Sequence, residues 1–443
     1  MRVFLHRSPN QLRSVANEQA SFHQLHRLNQ HRKMFTNKNY ERDINYAFEL
    51  SCFVFCLLRV WPYARTKSWF PETLKRIFII FVSYILLTCE LIPAILYMTI
   101  IQKEIRARLK VTATVMFTLV TMIKYGQLLF GRNQVRNCLV RVEEDWRNVA
   151  NSSDRDVMID KTRTGRRLLV ICGIFMYSTG VSFRTIIPLS RGKIVTDQNF
   201  TIRHLPCPTH FILFDVQLSS ACKIKFLMQF FSGFVKCTIT TAVCGLASLC
   251  VIHICAQLEI LMTLMNNLVN ESELKNINDK LAIIVKHQIK TRNFLQLVQN
   301  TIQYTSQLEV VGCTIIVCLL GYFIILEWED KNTVAICSYI IGLTSISFNI
   351  FIFCFIGEQL STKGEEVALK ACTLRWYRLP DAKTQALILI MSNSPTKIRG
   401  KKFINFFFRT FGNVRDNMLI KNWKKVFYKN FSHFRSLKRQ WRI

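Results

Sequence analysis

Residues 226–258 read FLMQFFSGFVKCTITTAVCGLASLCVIHICAQL, an apolar run that carries one charged side chain, Lys236. About 20 largely apolar residues take a helix across a bilayer, and this run exceeds that length, so its helix tilts or continues past the membrane. On either side of it, five more runs of spanning size fall at roughly 78–101, 111–130, 168–189, 308–326 and 335–357. The second of the six reads VTATVMFTLVTMIKYGQLLF and the fifth LEVVGCTIIVCLLGYFIIL. The pattern predicts an all-α polytopic membrane bundle.

Half of the 443 residues are apolar, yet the formal net charge is +31. Charge and apolarity are segregated along the chain, which is the pattern of a membrane protein with basic margins. No zinc-finger, helix-turn-helix or RNA-binding signature accompanies the Lys and Arg residues, so the basicity needs no nucleic-acid partner. The first 40 residues are polar and hold no apolar core of the signal-peptide kind, so the first span is expected to target the chain. Residues 1–44 are expected to form a mobile cytosolic arm. Most of the 16 cysteines lie inside apolar runs, where Cys acts as a small hydrophobe. Cys207 and Cys222 alone are placed for an extracellular bridge, and no Cys/His spacing suggests a metal or cofactor site.

Orientation follows from Lys and Arg in the short loops. The segments before span one, between spans two and three (Arg132, Arg136, Arg141), between four and five (Lys280, Lys286, Lys290) and after six (Lys363, Lys370) are basic and alternate onto one side. The loop between five and six holds Glu327, Glu329 and Asp330 against Lys331 and fits the outside. The loop with Lys103, Arg106, Arg108 and Lys110 disagrees and is outvoted. The N-terminus is therefore expected in the cytosol. Asn199 begins a glycosylation sequon in the expected second outer loop, as weak a signal as the similar triplets at Asn151, Asn270 and Asn430.

An ionisable group inside a span marks a functional candidate, because its burial is costly. Glu90 in span one, Lys124 in span two and Lys236 in span four qualify. For the lysines a structural pair or snorkelling to the headgroups is the default reading, while for Glu90 both readings stay open. Catalysis has little support: there is no Gly-rich phosphate loop, G-x-S-x-G elbow or HExxH, and His253 and His287 are far apart along the chain. A cavity for an apolar small molecule would draw on aromatic and flexible side chains in the outer halves of the spans. The candidates are Met116, Phe117, Met176, Tyr177, Phe183, Met228, Phe230 and Tyr339, although aromatic residues in membrane helices are more often packing groups.

From span five onward the chain carries, in order, Phe353-Cys354-Phe355-Ile356-Gly357, Trp376-Tyr377-Arg378-Leu379-Pro380, Ala386-Leu387-Ile388-Leu389-Ile390, Ser394-Pro395 and Gly400-Lys401-Lys402-Phe403. In order and spacing these motifs resemble those of the insect odorant receptors, the last with one extra Lys. Looser matches continue upstream at Trp61-Pro62, Asp145-Trp146, Leu205-Pro206 and His287-Gln288, so the resemblance covers about 45–411. It implies a seven-span subunit in the plasma membrane of sensory neurons, assembling with a common co-receptor into a heterotetrameric odorant-gated cation channel. It also implies a volatile ligand held in an outer pocket formed by spans two to six, and a pore lined by span seven. A cytosolic N-terminus opposes a G-protein-coupled receptor, as does the absence of D/E-R-Y after span three and of N-P-x-x-Y. A gustatory receptor of the same superfamily is the nearest alternative, and a transporter a more distant one; no paired internal halves are visible.

The ending departs from the family pattern. The run 403–411 is too short to cross, and Arg415, Asp416, Lys421, Lys424 and Lys425 interrupt the residues after it. The basic tail 412–443 is expected to stay in the cytosol and to derive from an aberrant transcript end.

Overall fold

Among the described residues, six helices are long and apolar enough to cross a membrane. The computed structural model describes residues 37, 39–61, 69–186, 193–195, 201–203, 219–270, 277–329, 331 and 333–373. Asn199, Cys207, the Trp376–Phe403 motifs, the 403–411 run and the basic tail lie outside the described residues, as does the Cys222 side chain.

The chain enters the fold through α1 (Tyr40–Leu57), so the last residues of the expected polar arm are helical. α2 (Trp69–Leu96) holds Pro93, which removes one backbone donor, and the helix widens soon after into a π turn at Tyr97–Ile101. α3 (Ile105–Phe130) breaks at Gly131, and α4 (Arg132–Asn148) continues at once. α5 (Ser152–Val181) starts on the Asn151 side chain, which accepts from the Ser153 backbone N–H at 3.3 Å, and ends in a π turn at Ser182–Ile186. Two three-residue strands, β1 (Lys193–Val195) and β2 (Thr201–Arg203), pair antiparallel with Lys193 opposite Arg203. This small hairpin adds to the helical bundle that the sequence predicts. α6 (Ser219–Asn270), α7 (Ile277–Glu329) and α8 (Thr333–Thr373) complete the described residues.

The 52 residues of α6 span about 78 Å at 1.5 Å per residue, well beyond a hydrocarbon core of about 30 Å. Its hydrophobicity runs all round, and 89 % of its most apolar window is buried against 22–39 % for the other five spanning helices. α6 is thus the central post, packed on α1, α2, α3, α5, α7 and α8. The surrounding helices keep one apolar face outward, at Phe78, Phe81, Ile174 and Ile325, as lipid contact requires. Small residues let them approach: Gly245 faces Leu169 and Gly312 faces Val120 so closely that a Cβ would collide.

One end of the bundle carries α1 and α4. Asp43 of α1 takes both arms of Arg155, at 2.6 and 2.7 Å, and the Asn37 amide at 2.9 Å. Burial favours its protonated form, but these donors outweigh burial and hold the carboxyl below its ordinary value. Tyr40 donates to Glu143 at 2.6 Å, and the Trp61 ring packs on Phe48 and Phe55. The opposite end carries the hairpin and the tight α7–α8 turn, where Lys331 adopts φ 53°.

Candidate ligand-binding site

At the hairpin end, α3, the π turn of α5, α7 and α8 converge on an aromatic cluster. Phe183 and Tyr339 lie 5.7 Å apart between ring centroids, and Phe323 lies 5.7 Å from Tyr339. Leu320, Ile316 and Ile346 are buried around them, and Phe117 packs on the edge. Offset or tilted rings at such spacing attract by about 0.5–1.5 kcal/mol per pair beyond burial. Gly342 makes the approach possible, since a Cβ there would sit 2.7 Å from the Phe183 ring.

Beside this cluster lies a buried charge group. Glu90 of α2 accepts from Arg184 at 2.8 Å, from Lys236 at 2.8 Å and from Ser232. Lys236 also donates to Thr118 at 3.1 Å and stands 5.7 Å from the centroid of the Phe117 ring. Arg184 donates to the Gln229 carbonyl as well, and its side chain passes over Gly233, where a Cβ would overlap it. Among the described residues the two cations share the Glu90 carboxylate, in a region of low dielectric. Phe117 touches both the charge group and the aromatic cluster.

A second buried pair ties α3 to α7. Lys124 pairs with Glu309, and its ammonium donates to Thr240 at 3.2 Å. Asn349 of α8 donates to Glu309, and the Cys313 thiol does so at 3.3 Å. For the three ionisable residues singled out in the sequence the structure therefore shows partners: Glu90 with Lys236, and Lys124 with Glu309. Glu309 and Arg184 escaped the sequence reading because each sits inside an apolar run near its edge. The signal that could have found them is charge balance, because a buried Lys124 demands a carboxylate on a neighbouring span.

Of the eight candidate ligand residues, Phe117, Phe183 and Tyr339 belong to one cluster with Phe323, which the sequence reading did not select. Met176 is buried elsewhere, its backbone carbonyl accepting from Cys237 at 3.3 Å and its sulfur from Ser345 at 3.5 Å. Tyr177 bonds Thr238 at 2.8 Å and packs its ring against Phe234. Met228 lines a void of about 10 Å³ with Glu90 and Gln229, and Phe230 sets its edge on Phe231. Met116 is half-buried on α3, apart from the aromatic cluster.

At the α4 end the sequence reading separates His253 from His287, and the structure corrects it. Antiparallel packing of α6 and α7 brings both to Gln257: His287 Nε2 lies 3.0 Å from the Gln257 carbonyl, and the Gln257 amide 3.5 Å from His253. Asp145 closes the group, 3.1 Å from His253 and paired with Lys290. Burial raises the Asp145 pKa, but His253 and Lys290 prevail and bring it down to about 2. Among the described residues no cluster of His, Cys, Asp and Glu could hold a metal ion.

Among the described residues, five membrane-length helices around a sixth, the buried central post, define a polytopic helical membrane protein. Within that class the sequence pattern described as 7tm Odorant receptor matches residues 104–417, and the chain belongs to the odorant receptor family. The fold is similar to that of the insect olfactory receptor OR5 from Machilis hrabei in complex with eugenol. That match has a TM-score of 0.66 and 13% identity and covers 85% of this chain and 100% of that one. A second structure of the insect olfactory receptor OR5 from Machilis hrabei matches with a TM-score of 0.62 at 13% identity, covering 80% of this chain and 90% of that one. No curated protein matches the chain in sequence.

Proposed function

We propose that this odorant receptor is the ligand-recognising subunit of a heteromeric odorant-gated cation channel, formed with a common co-receptor in the plasma membrane of sensory neurons. Its N-terminus lies in the cytosol, so the hairpin end faces outward and α1, α4 and the long extensions of α6 and α7 face inward. The carrying observation is the cluster of Phe117, Phe183, Phe323 and Tyr339, which joins four elements at that outer end. A volatile molecule bound among these rings contacts all four elements at once. Ligand that fits the open arrangement better shifts the population toward it, by no more than its difference in affinity. The eugenol bound by Machilis OR5 is a small aromatic molecule, which fits an aromatic lining in this chain as well.

Whole-cell current from cells expressing the chain with a co-receptor tests the proposal, with G-protein signalling blocked and surface arrival checked by labelling. A rapid, odorant-dependent cation current absent with co-receptor alone is the expected result. Tyr339→Leu should move the half-maximal concentration of an activating volatile about tenfold, the equivalent of about 1.4 kcal/mol. Silence at the surface across a broad volatile panel would sink the reading.

A further inference from the structure

Along α1 the outward face changes character midway. In the first half it carries Glu41, Arg42, Asn45 and Glu49, and in the second Cys52, Phe53, Cys56 and Leu57. Positions 52, 53, 56 and 57 fall within about 140° of one another around a helix of 3.6 residues per turn, so they form one apolar stripe. Ala47, Ser51, Val54 and Phe55 are buried on the bundle side, while Phe53 is 63% and Leu57 41% exposed.

Two contacts set the depth of this stripe. Glu49, its side chain 71% exposed, pairs with Arg166 at 3.1 Å, just before the apolar run of α5 begins, and so marks the water edge. Further along, the Leu58 carbonyl accepts from the Tyr125 hydroxyl at 3.3 Å, within the apolar run of α3. α1 therefore passes from water into the leaflet, and at 1.5 Å per residue Cys52 and Cys56 lie about 5 and 10 Å beyond Glu49. An interfacial helix holds its apolar face at such a depth. The two thiols touch there, Sγ to Sγ at 3.6 Å, with Cys56 exposed and Cys52 half-buried. Cys318 and Cys337, the other exposed cysteines among the described residues, stand on α7 and α8 toward the hairpin end.

We propose that Cys56 is S-acylated from a long-chain fatty acyl-coenzyme A. Cysteines of amphipathic helices at the membrane boundary accept such chains. The Cys56 thiolate attacks the thioester carbonyl carbon; a new S–acyl bond forms, the bond to the coenzyme A sulfur breaks, and that sulfur takes up the proton Cys56 gave up. A Cys52 S–H donated to Cys56 Sγ favours the thiolate, which is the attacking form. Arg59 is exposed one turn on, and Arg65 and Lys67 follow in the sequence, a basic run that attracts the phosphates of coenzyme A. The attached chain lies along Phe53 and Leu57 and ties α1 to the inner leaflet. The inference rests on the cytosolic N-terminus proposed above, because acyl-coenzyme A is a cytosolic reagent.

Cells expressing the full chain can be fed a palmitate analogue with a terminal alkyne, and the purified receptor coupled to a fluorophore and treated with neutral hydroxylamine, which cleaves thioesters. Hydroxylamine-sensitive label is expected on the wild type, mapped to Cys56 by peptide mass spectrometry, lost in Cys56→Ser and kept in Cys337→Ser. Protease access to an N-terminal tag is read in the same cells. Absence of label with the N-terminus shown to be cytosolic overturns the acylation alone, as does label that Cys56→Ser leaves unchanged. An N-terminus shown to be outside puts Cys56 beyond the reagent and overturns both readings.

Discussion

Lys124 and Glu309 show what a buried pair does at the scale of one residue. Neither side chain is exposed, so removing one partner leaves a charge without compensation, at about 3–5 kcal/mol. Glu309→Leu should therefore lower the thermal midpoint of the detergent-solubilised protein sharply. Adding Lys124→Met should recover most of the loss, because two apolar side chains need no partner. A double variant no more stable than the single would contradict the pairing. Asp145 offers a pH test at the same scale. Its carboxyl sits at about 2 against an ordinary 3.8, a difference equivalent to about 2 kcal/mol. A depressed pKa stabilises the fold above the ordinary value and loses that contribution as pH falls from about 4 to about 2. The stability difference between wild type and Asp145→Asn should accordingly be full at pH 6 and shrink across that window; a difference independent of pH would show that the Asp145 charge does not stabilise the fold.

At the scale of elements, the joints matter more than the helices. Gly342 lets α8 meet the π turn of α5 at Phe183, so Gly342→Ala forces that ring to move. Overpacking of this kind costs about 1–3 kcal/mol. The change should alter ligand sensitivity in the current assay while surface arrival persists, and an unchanged dose response would separate Phe183 from ligand recognition. At the other joint, Lys331 holds a left-handed backbone conformation in the α7–α8 turn. Glycine adopts it freely, so Lys331→Gly should stabilise the protein by about 1 kcal/mol, read as a higher midpoint in thermal unfolding. The apolar runs announced the spanning helices, since length and hydropathy are local properties. α1 and α4 were not announced, because they are amphipathic and gain stability only by packing on α5, α6 and α7.

For the whole molecule, every internal contact is the same whichever way the bundle is inserted, so orientation must be measured. A protease-sensitive fluorescent tag on the N-terminus should be cleaved only after the plasma membrane is permeabilised. Cleavage on intact cells would reverse the bundle and place the aromatic cluster at the cytosolic end. The central position of α6 also has a consequence at this scale. Its buried surface contacts nearly every other helix, so substitutions along 237–261 should harm folding more than equivalent changes on α2 or α5.

The membrane class, the six apolar spans and, through the motifs from Phe353 to Phe403, the family likeness were all legible in the chain, because each of these is written in neighbouring residues. Even the unusual length of α6 was visible in 226–258. Which distant groups meet was legible only in the packed bundle. Packing joined Glu90 to Lys236 and Arg184, brought His253 to His287 through Gln257, and gathered Phe117, Phe183 and Tyr339 into one cluster with Phe323. The physical reason is rotation: hydropathy fixes that a helix crosses, but the face each side chain presents is set by how ridges, glycines and buried charges of neighbouring helices fit together.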